Sequence, residues 1–422
     1  MTGNNSRHYQ ALIIGLLIFG LTLPLSKSVS SIIMGLIYVY SFAVVFYYKD
    51  FRTTVTCNIK QPLNIPISIY IFTVLLGLLF SEDLSEGISV IKRVSNLLLV
   101  YLIVSVLISA EQDEEKRFRN AEYVLLFFIA GIFILDMLGL LTYYGLIGNK
   151  RFALPLRPLN MHHIWFGNLN AIGLYVAACL LLFSPHIKLF PMAIFIWFFI
   201  FIDAISVLLS TSRTAWVGII FTAIVFSYFL IKNKRTFFIA AGSIVVGCTL
   251  LYLFNDIVHA RIEQVFSDFS LLFSGVTSTS IGARLMMWKA ALEMFLTNPI
   301  FGVGTGNYRS TGYELVRLGR IPDIILRYNQ PHNMYLFTLA TNGLIGLSAL
   351  LFVFYRIFKL VKTLIKPLQR ERLFGFMALS VAVHFMIAGL TEALMNIHIL
   401  ICTFAFIMGV SMRRPYIKGG KV

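Results

Sequence analysis

The chain has 422 residues, of which 58% are hydrophobic and 13% charged, with a mean hydropathy of +0.82 and a formal net charge of +16. A soluble globular domain carries about a quarter of its residues as charges, so that class is excluded. Apolar stretches of membrane-spanning length recur without alternating strand-like segments, which excludes an outer-membrane barrel and leaves an all-α, polytopic integral membrane protein, because in lipid only a helix or a closed barrel satisfies its own backbone.

Twelve spans are expected, near residues 11–26, 28–48, 64–80, 88–109, 121–147, 166–184, 188–209, 214–231, 236–254, 333–355, 373–391 and 394–411. The first has no small-residue cleavage site and runs at once into the second, so it reads as a retained helix. An even number of spans puts both ends on one side. Outside the long segment 255–331, 21 of the Lys and Arg residues fall on that side and seven on the other, so both termini are expected in the cytoplasm. The organisation expected is a nine-span region 1–254, an extracytoplasmic loop 255–331 and a three-span region 332–422, all one membrane domain. Cys179, Cys248 and Cys402 fall in apolar spans and Cys57 in a cytoplasmic loop, so no extracytoplasmic disulfide is expected.

Polar residues inside or beside the spans mark candidate chemistry. Asp136 and Asp203 lie in apolar runs and are expected to pair with polar neighbours. His162 and His163 in NMHHIWFG point apart on any regular element, and no HExxH or carboxylate cluster stands near them, so no metal site is expected. Arg213 in LLSTSRTAWVG stands between two long apolar spans at the extracytoplasmic boundary, where an arginine is costly unless it has a partner or a function.

The 77-residue segment 255–331 is too long for a plain connector. DIVHARIEQVFSDFSLLF and ARLMMWKAALEMF show helical spacing, the second with Arg284, Trp288, Ala291 and Phe295 near one face. Two amphipathic helices on or over the membrane surface are expected. TNPIFGVGTGNY, with Gly302, Gly304 and Gly306, follows no strand and reads as a tight turn where backbones pack closely, not as a phosphate cradle. The segment ends on PHNMYLFTLATNGLIG, where Pro331, His332 and Asn333 stand in front of an apolar helix that they could start and cap.

His332 and Asn333, then nine residues, Gly343, two more and Gly346, reproduce the pattern H, then N, S or Q, nine residues, G, two residues, then G, T or Y that marks bacterial O-antigen ligases. TSTSIGARLMMWKAALEMFLTNPIFGVGTG resembles part of the same family's large periplasmic loop and TSRTAW its helix-boundary arginine motif. The resemblance implies a GT-C-like glycosyltransferase of the bacterial inner membrane, acting on the periplasmic side in lipopolysaccharide biosynthesis. It would move a finished polysaccharide from undecaprenyl pyrophosphate to a lipid A-core sugar, with inversion and with no nucleotide, metal, other cofactor or nucleic acid. Such a reaction must hold the leaving pyrophosphate and take a proton from the acceptor hydroxyl. Arginine suits the first demand with a permanent charge and a planar fork, and Arg213 and Arg284 take that role by the resemblance. Neutral imidazole suits the second, so His332 is the candidate general base, with Asn333 orienting it or a sugar. Arg157, His163, Arg261, Arg309 and Arg327 are further candidates for donor or acceptor contacts. Gly343 and Gly346, three apart, are expected to let a neighbouring helix approach closely.

The alternatives predict different features. Repeat-unit polymerases of the same superfamily tend to show two sizeable periplasmic loops, each with arginine and, eleven positions on, glycine. No extracytoplasmic arginine here has that glycine, and the 148–165 loop is short. A protein O-glycosyltransferase would usually carry a larger C-terminal extension. A transporter of lipid-linked glycans would show internal repeats and paired broken helices, and neither is evident.

Overall fold

The computed structural model describes residues 3–49, 52, 61–109, 111, 113–148, 151–187, 190–365 and 369–411. Cys57 and the charge positions Lys60, Lys150, Lys188, Lys366, Arg413, Arg414, Lys418 and Lys421 lie outside them. The described residues form α-helices and short 3-10 turns with no strand. In chain order the helices are α1 (Gly3–Thr22), α2 (Lys27–Tyr47), α3 (Asn64–Gly77), α4 (Leu84–Ser109), α5 (Glu114–Tyr143), α6 (His163–Phe183), α7 (Phe190–Ser210), α8 (Arg213–Leu230), α9 (Lys234–Phe254), α10 (Asp256–Phe273), α11 (Ser280–Thr297), α12 (Tyr308–Arg317), α13 (Met334–Leu364), α14 (Gln369–Ala388) and α15 (His398–Ser411). Among them, nine are long and apolar enough to cross a membrane, and the shorter apolar helices Arg7–Thr22, Asn64–Phe80 and His398–Ser411 coincide with the other three expected spans.

The last span is the most enclosed, with every residue from Ile399 to Ser411 buried. It packs along α4, while α8 packs on α14, α6 on α7, α1 on α5, and α3 on α13. Lipid tails are as apolar as these side chains, so close packing and interhelical hydrogen bonds do much of the joining. His384 on α14 contacts both the Tyr175 hydroxyl and Asn168 Oδ1 of α6 at 2.9 Å. Asn170 Nδ2 donates to Asp136 Oδ1 at 2.6 Å, tying α6 to α5. Asp203 of α7 faces the same carboxyl, so the two aspartates that look isolated in sequence meet. At the other extreme α9 buries no residue.

The segment between α9 and α13 folds as a cap with its own core. Asn255 and Thr279 start its first two helices by accepting backbone N–H groups, from Val258 at 3.1 Å and Gly282 at 3.1 Å. Ala283, Met287, Ala291 and Met294 then form one buried face of α11, against Tyr308 and Leu315 of α12, Ile324 and Ile325 of the 3-10 turn Asp323–Arg327, and Ala340 of α13. The two expected helices are thus joined by a third, which lacks the apolar length that would announce it.

The glycine-rich stretch is a turn that plugs into a break in α13. Gly302, Gly304 and Gly306 have φ of 72°, 105° and 100°, conformations that side chains rarely adopt. Val303 N donates to Ala340 O at 2.9 Å, Gly304 N to Thr341 O at 3.1 Å, and Leu344 N to Pro299 O at 2.9 Å. Gly343, at φ 63° and ψ −162°, breaks the helix there, and a side chain would strike the Ile300 carbonyl. The expectation of a helix-packing pair is therefore corrected: Gly343 admits the loop's backbone, and a Cβ on Gly346 would meet Asn342 and Thr338 of its own helix.

Candidate functional site

Four connections meet at one end of the bundle: the segments before α6 and between α7 and α8, the cap, and the turn between α14 and α15. Between them lies a cavity of about 220 Å³, lined by His162, His163, Thr211, Arg213, Arg261, Gln264, Ser280, Arg284, Tyr328 and His332 among others. Arg213, Arg261, Arg284, His163 and His332, singled out from the sequence, are thus brought together across a separation of 169 positions from His163 to His332.

Each arginine is placed by a helix start or a helix face. Arg213 opens α8 behind Ser212, whose Oγ accepts Ala215 N at 3.4 Å, and its Nη2 donates to Ser280 Oγ at 3.1 Å. Arg261 of α10 donates through Nη2 to Thr211 Oγ1 at 2.9 Å and through Nη1 to Gln264 Oε1 at 2.6 Å. Arg284 of α11, partly buried, makes no hydrogen bond or ion pair among the described residues. Arg213 Nη1 and Arg261 Nε are also buried without partners among those residues. Burial lowers Arg284 below the ordinary arginine value and Arg213 adds to this, while Glu392, Tyr328 and Asp268 oppose it. Burial, then Arg213, likewise lower Arg261 against the pull of Asp268. Arginine stays protonated throughout the physiological range, so the cavity holds three cations short of counter-charge. Desolvated and incompletely paired, they form a ready site for a polyanion.

His332 stands just outside α13, on a backbone of φ 49°. For a non-glycine residue this conformation costs about 1–3 kcal/mol and persists only where the surroundings fix it. Trp288 Nε1 donates to Pro331 O at 3.0 Å, and Met334 N to Gly389 O at 2.7 Å. Asn333 caps α13, its Oδ1 accepting Tyr335 N and Leu336 N at 3.0 Å each, while its Nδ2 donates to Leu390 O at 3.0 Å. Thr211, beside Arg213, is likewise left-handed at φ 52°.

The side chain that orients His332 is Glu392, and not Asn333, whose oxygen and amide nitrogen are both engaged with backbone. Glu392, whose side chain is 1% exposed, sits in the turn between α14 and α15, with Oε2 at 2.8 Å from His332 Nδ1. Its Oε1 accepts Gln330 Nε2 at 2.7 Å and Ala393 N at 3.0 Å. A carboxylate at Nδ1 fixes the proton there, leaves Nε2 as the base, and stabilises the imidazolium formed on protonation. The ring of Tyr328 meets that of His332 edge to face, with centroids 5.5 Å apart.

His162 and His163 both line this cavity, with centroids 4.8 Å apart, contrary to the expectation that they point apart. His162 is not in a regular element but caps α6, which frees its ring to turn the same way as its neighbour's. Four candidates lie outside the cavity lining: Asn333, which caps α13, and three exposed arginines. Arg157 is exposed, though its charge acts on His162 and His163. Arg309 is exposed and lies over the Tyr313 ring at 5.7 Å. Arg327 is exposed at the end of its 3-10 turn. Sequence reasoning missed Glu392 and His162. The one signal for Glu392 was its being the sole carboxylate between the last two expected spans.

Residues 197–351 match a family model described as O-antigen ligase. A Haemophilus influenzae protein described as uncharacterized is 28% identical over 304 residues, covering 70% of this chain and 71% of that protein. The matched stretch contains Arg213, Arg261, Arg284 and His332. Over residues 197–351, in a multi-pass membrane fold, the chain is similar to the O-antigen ligase family.

Proposed function

We propose that the protein is an O-antigen ligase that transfers polysaccharide from undecaprenyl pyrophosphate to a lipid A-core sugar on the periplasmic side of the inner membrane, with both termini in the cytoplasm. The observation that carries this reading is the single cavity in which three incompletely paired arginines face a histidine backed by a buried carboxylate. Arg213 and Arg284, with Arg261 beside them, hold the pyrophosphate and neutralise it as it leaves. His332 Nε2 takes the proton of the acceptor hydroxyl as its oxygen attacks the anomeric carbon. The bond from that carbon to the pyrophosphate oxygen breaks, the lipid pyrophosphate departs with the electron pair, and Glu392 stabilises the imidazolium through Nδ1. A single displacement of this kind inverts the anomeric centre. Lipid pyrophosphate is already a good leaving group, so no ATP or metal enters the balance.

The test is ligation by purified protein in detergent, given undecaprenyl-pyrophosphate glycan and lipid A-core without ATP or metal. The wild type forms the ligated product, and His332→Ala lowers the rate about 10²- to 10⁴-fold with folding retained. Lengthening of the donor chain without transfer to lipid A-core would make the enzyme a repeat-unit polymerase and overturn this reading.

A further inference from the structure

The cavity holds an imidazole that the reaction above does not use. His162 precedes α6, and its Nδ1 accepts the Ile164 backbone N–H at 3.3 Å. A neutral imidazole carries one proton, so a capping Nδ1 leaves that proton on Nε2. His332 has the opposite tautomer, with Nδ1–H donating to Glu392 and Nε2 bare. His163 shares the tautomer of His332, its Nδ1–H donating to Ser210 O at 3.0 Å. Of the three imidazoles lining the cavity, His162 is therefore the one that can donate from Nε2 while uncharged. Burial lowers its affinity for a second proton, Glu392 opposes this, and Arg157 and His332 reinforce it, so it enters neutral pH as a neutral donor.

Its neighbours select what it donates to. The charges acting on His162 are those of Glu392, Arg157 and His332. Arg261 answers to Arg213 and Asp268 and also acts on His163, while Arg284 feels both Arg213 and Glu392. His162 thus shares the cavity with His332 and feels the carboxylate that holds it, and a neutral N–H there suits the oxygen of an uncharged hydroxyl.

We propose that His162 binds the acceptor sugar, its Nε2–H donating to one hydroxyl so that a neighbouring hydroxyl lies against His332 Nε2. This deepens the ligase reading and rests on it. One residue would then read the acceptor while the arginines read the donor. A site built to hydrogen-bond a sugar hydroxyl discriminates against acceptors that lack it.

Two substitutions separate this role from simple capping. His162→Ser keeps a strong N-cap but is too short to reach the cavity, whereas His162→Gln caps poorly and carries an amide N–H about as far out as Nε2. With undecaprenyl-pyrophosphate polysaccharide as donor and lipid A-core as acceptor, His162→Ser raises the acceptor KM about tenfold, the loss of roughly one hydrogen bond. The donor KM stays within about twofold, and His162→Gln restores the acceptor KM to within about threefold of wild type. A purely structural role gives the reverse order, with the Ser variant sound and the Gln variant defective, and that result overturns the proposal. Equal defects in both variants, or a rise in donor KM alone, overturn it as well. Should the wild type extend donor on donor, the ligase reading fails, and the same pair of variants then judges His162 against the growing chain end as acceptor.

Discussion

Glu392→Gln tests the carboxylate behind His332 by removing its charge while keeping its shape. Glu392 Oε2 lies 2.8 Å from Nδ1, and the side chain is almost wholly buried. Two unit charges about 4 Å apart at an effective dielectric of about 20 attract by about 4 kcal/mol. The glutamine oxygen still accepts the Nδ1–H bond, worth about 1 kcal/mol, so about 3 kcal/mol of imidazolium stabilisation disappears. Each 1.36 kcal/mol is tenfold in rate, so kcat falls about 10²-fold. The new amide turns its NH2 toward Gln330 and Ala393. Gln330 accommodates it by presenting its own Oε1, buried and without a partner among the described residues. Ala393 N–H loses its acceptor, which costs stability by about 1 kcal/mol. The assay is kcat at saturating donor and acceptor, with the melting temperature measured alongside. A variant within threefold of wild-type kcat, in a background where His332→Ala is inactive, would refute the coupling of Glu392 to the base.

Two further outcomes follow from the same geometry. Arg284→Lys keeps the charge but loses the planar fork, and lowers kcat by about tenfold or more, whereas Arg327→Ala, exposed and outside the cavity, stays within about threefold; steady-state ligation kinetics compare them. Gly343→Ala forces a left-handed alanine into the Ile300 carbonyl and destabilises the fold by more than about 2 kcal/mol, whereas Gly247→Ala on α9, with nothing within 4 Å, is neutral or slightly stabilising; folded yield and thermal melting in detergent separate the two.

The nine long apolar helices, and the three shorter ones at the other expected spans, were legible because hydropathy over such a window is a property of the local chain alone. Arg213 and His332 were legible for a related reason, since a charged or titratable group at an apolar boundary stands out against its neighbours. What lay beyond reach depends on partners distant in sequence. Glu392 acquires meaning only when the turn between α14 and α15 is laid against residue 332, sixty positions earlier. His162 belongs to the cavity because it stands one residue outside α6, and a boundary shift of that size decides where its ring turns. Asp136 and Asp203 looked solitary because the helix pairing that joins them is not written in either segment. The spacing of Gly343 and Gly346 fits a helix-contact motif as well as a helix break, and only the positive φ, imposed by the inserted loop, distinguishes them.

The break in α13 also bears on how the protein tolerates its solvent. Beyond Gly343 the helix runs down through the bilayer, where changes in lipid thickness are absorbed by tilt. The short piece above the break, Met334 to Asn342, is pinned by backbone bonds to the 299–304 loop and shares the cap's core through Ala340. That same cap carries Arg261 and Arg284, and through Ser280 it holds Arg213. His332, Arg261 and Arg284 therefore ride on one platform with a joint beneath it, and Arg213 is tied to that platform from the start of α8. A thicker or thinner membrane can lean the lower helix without changing the spacing between His332 and the arginines of the cap.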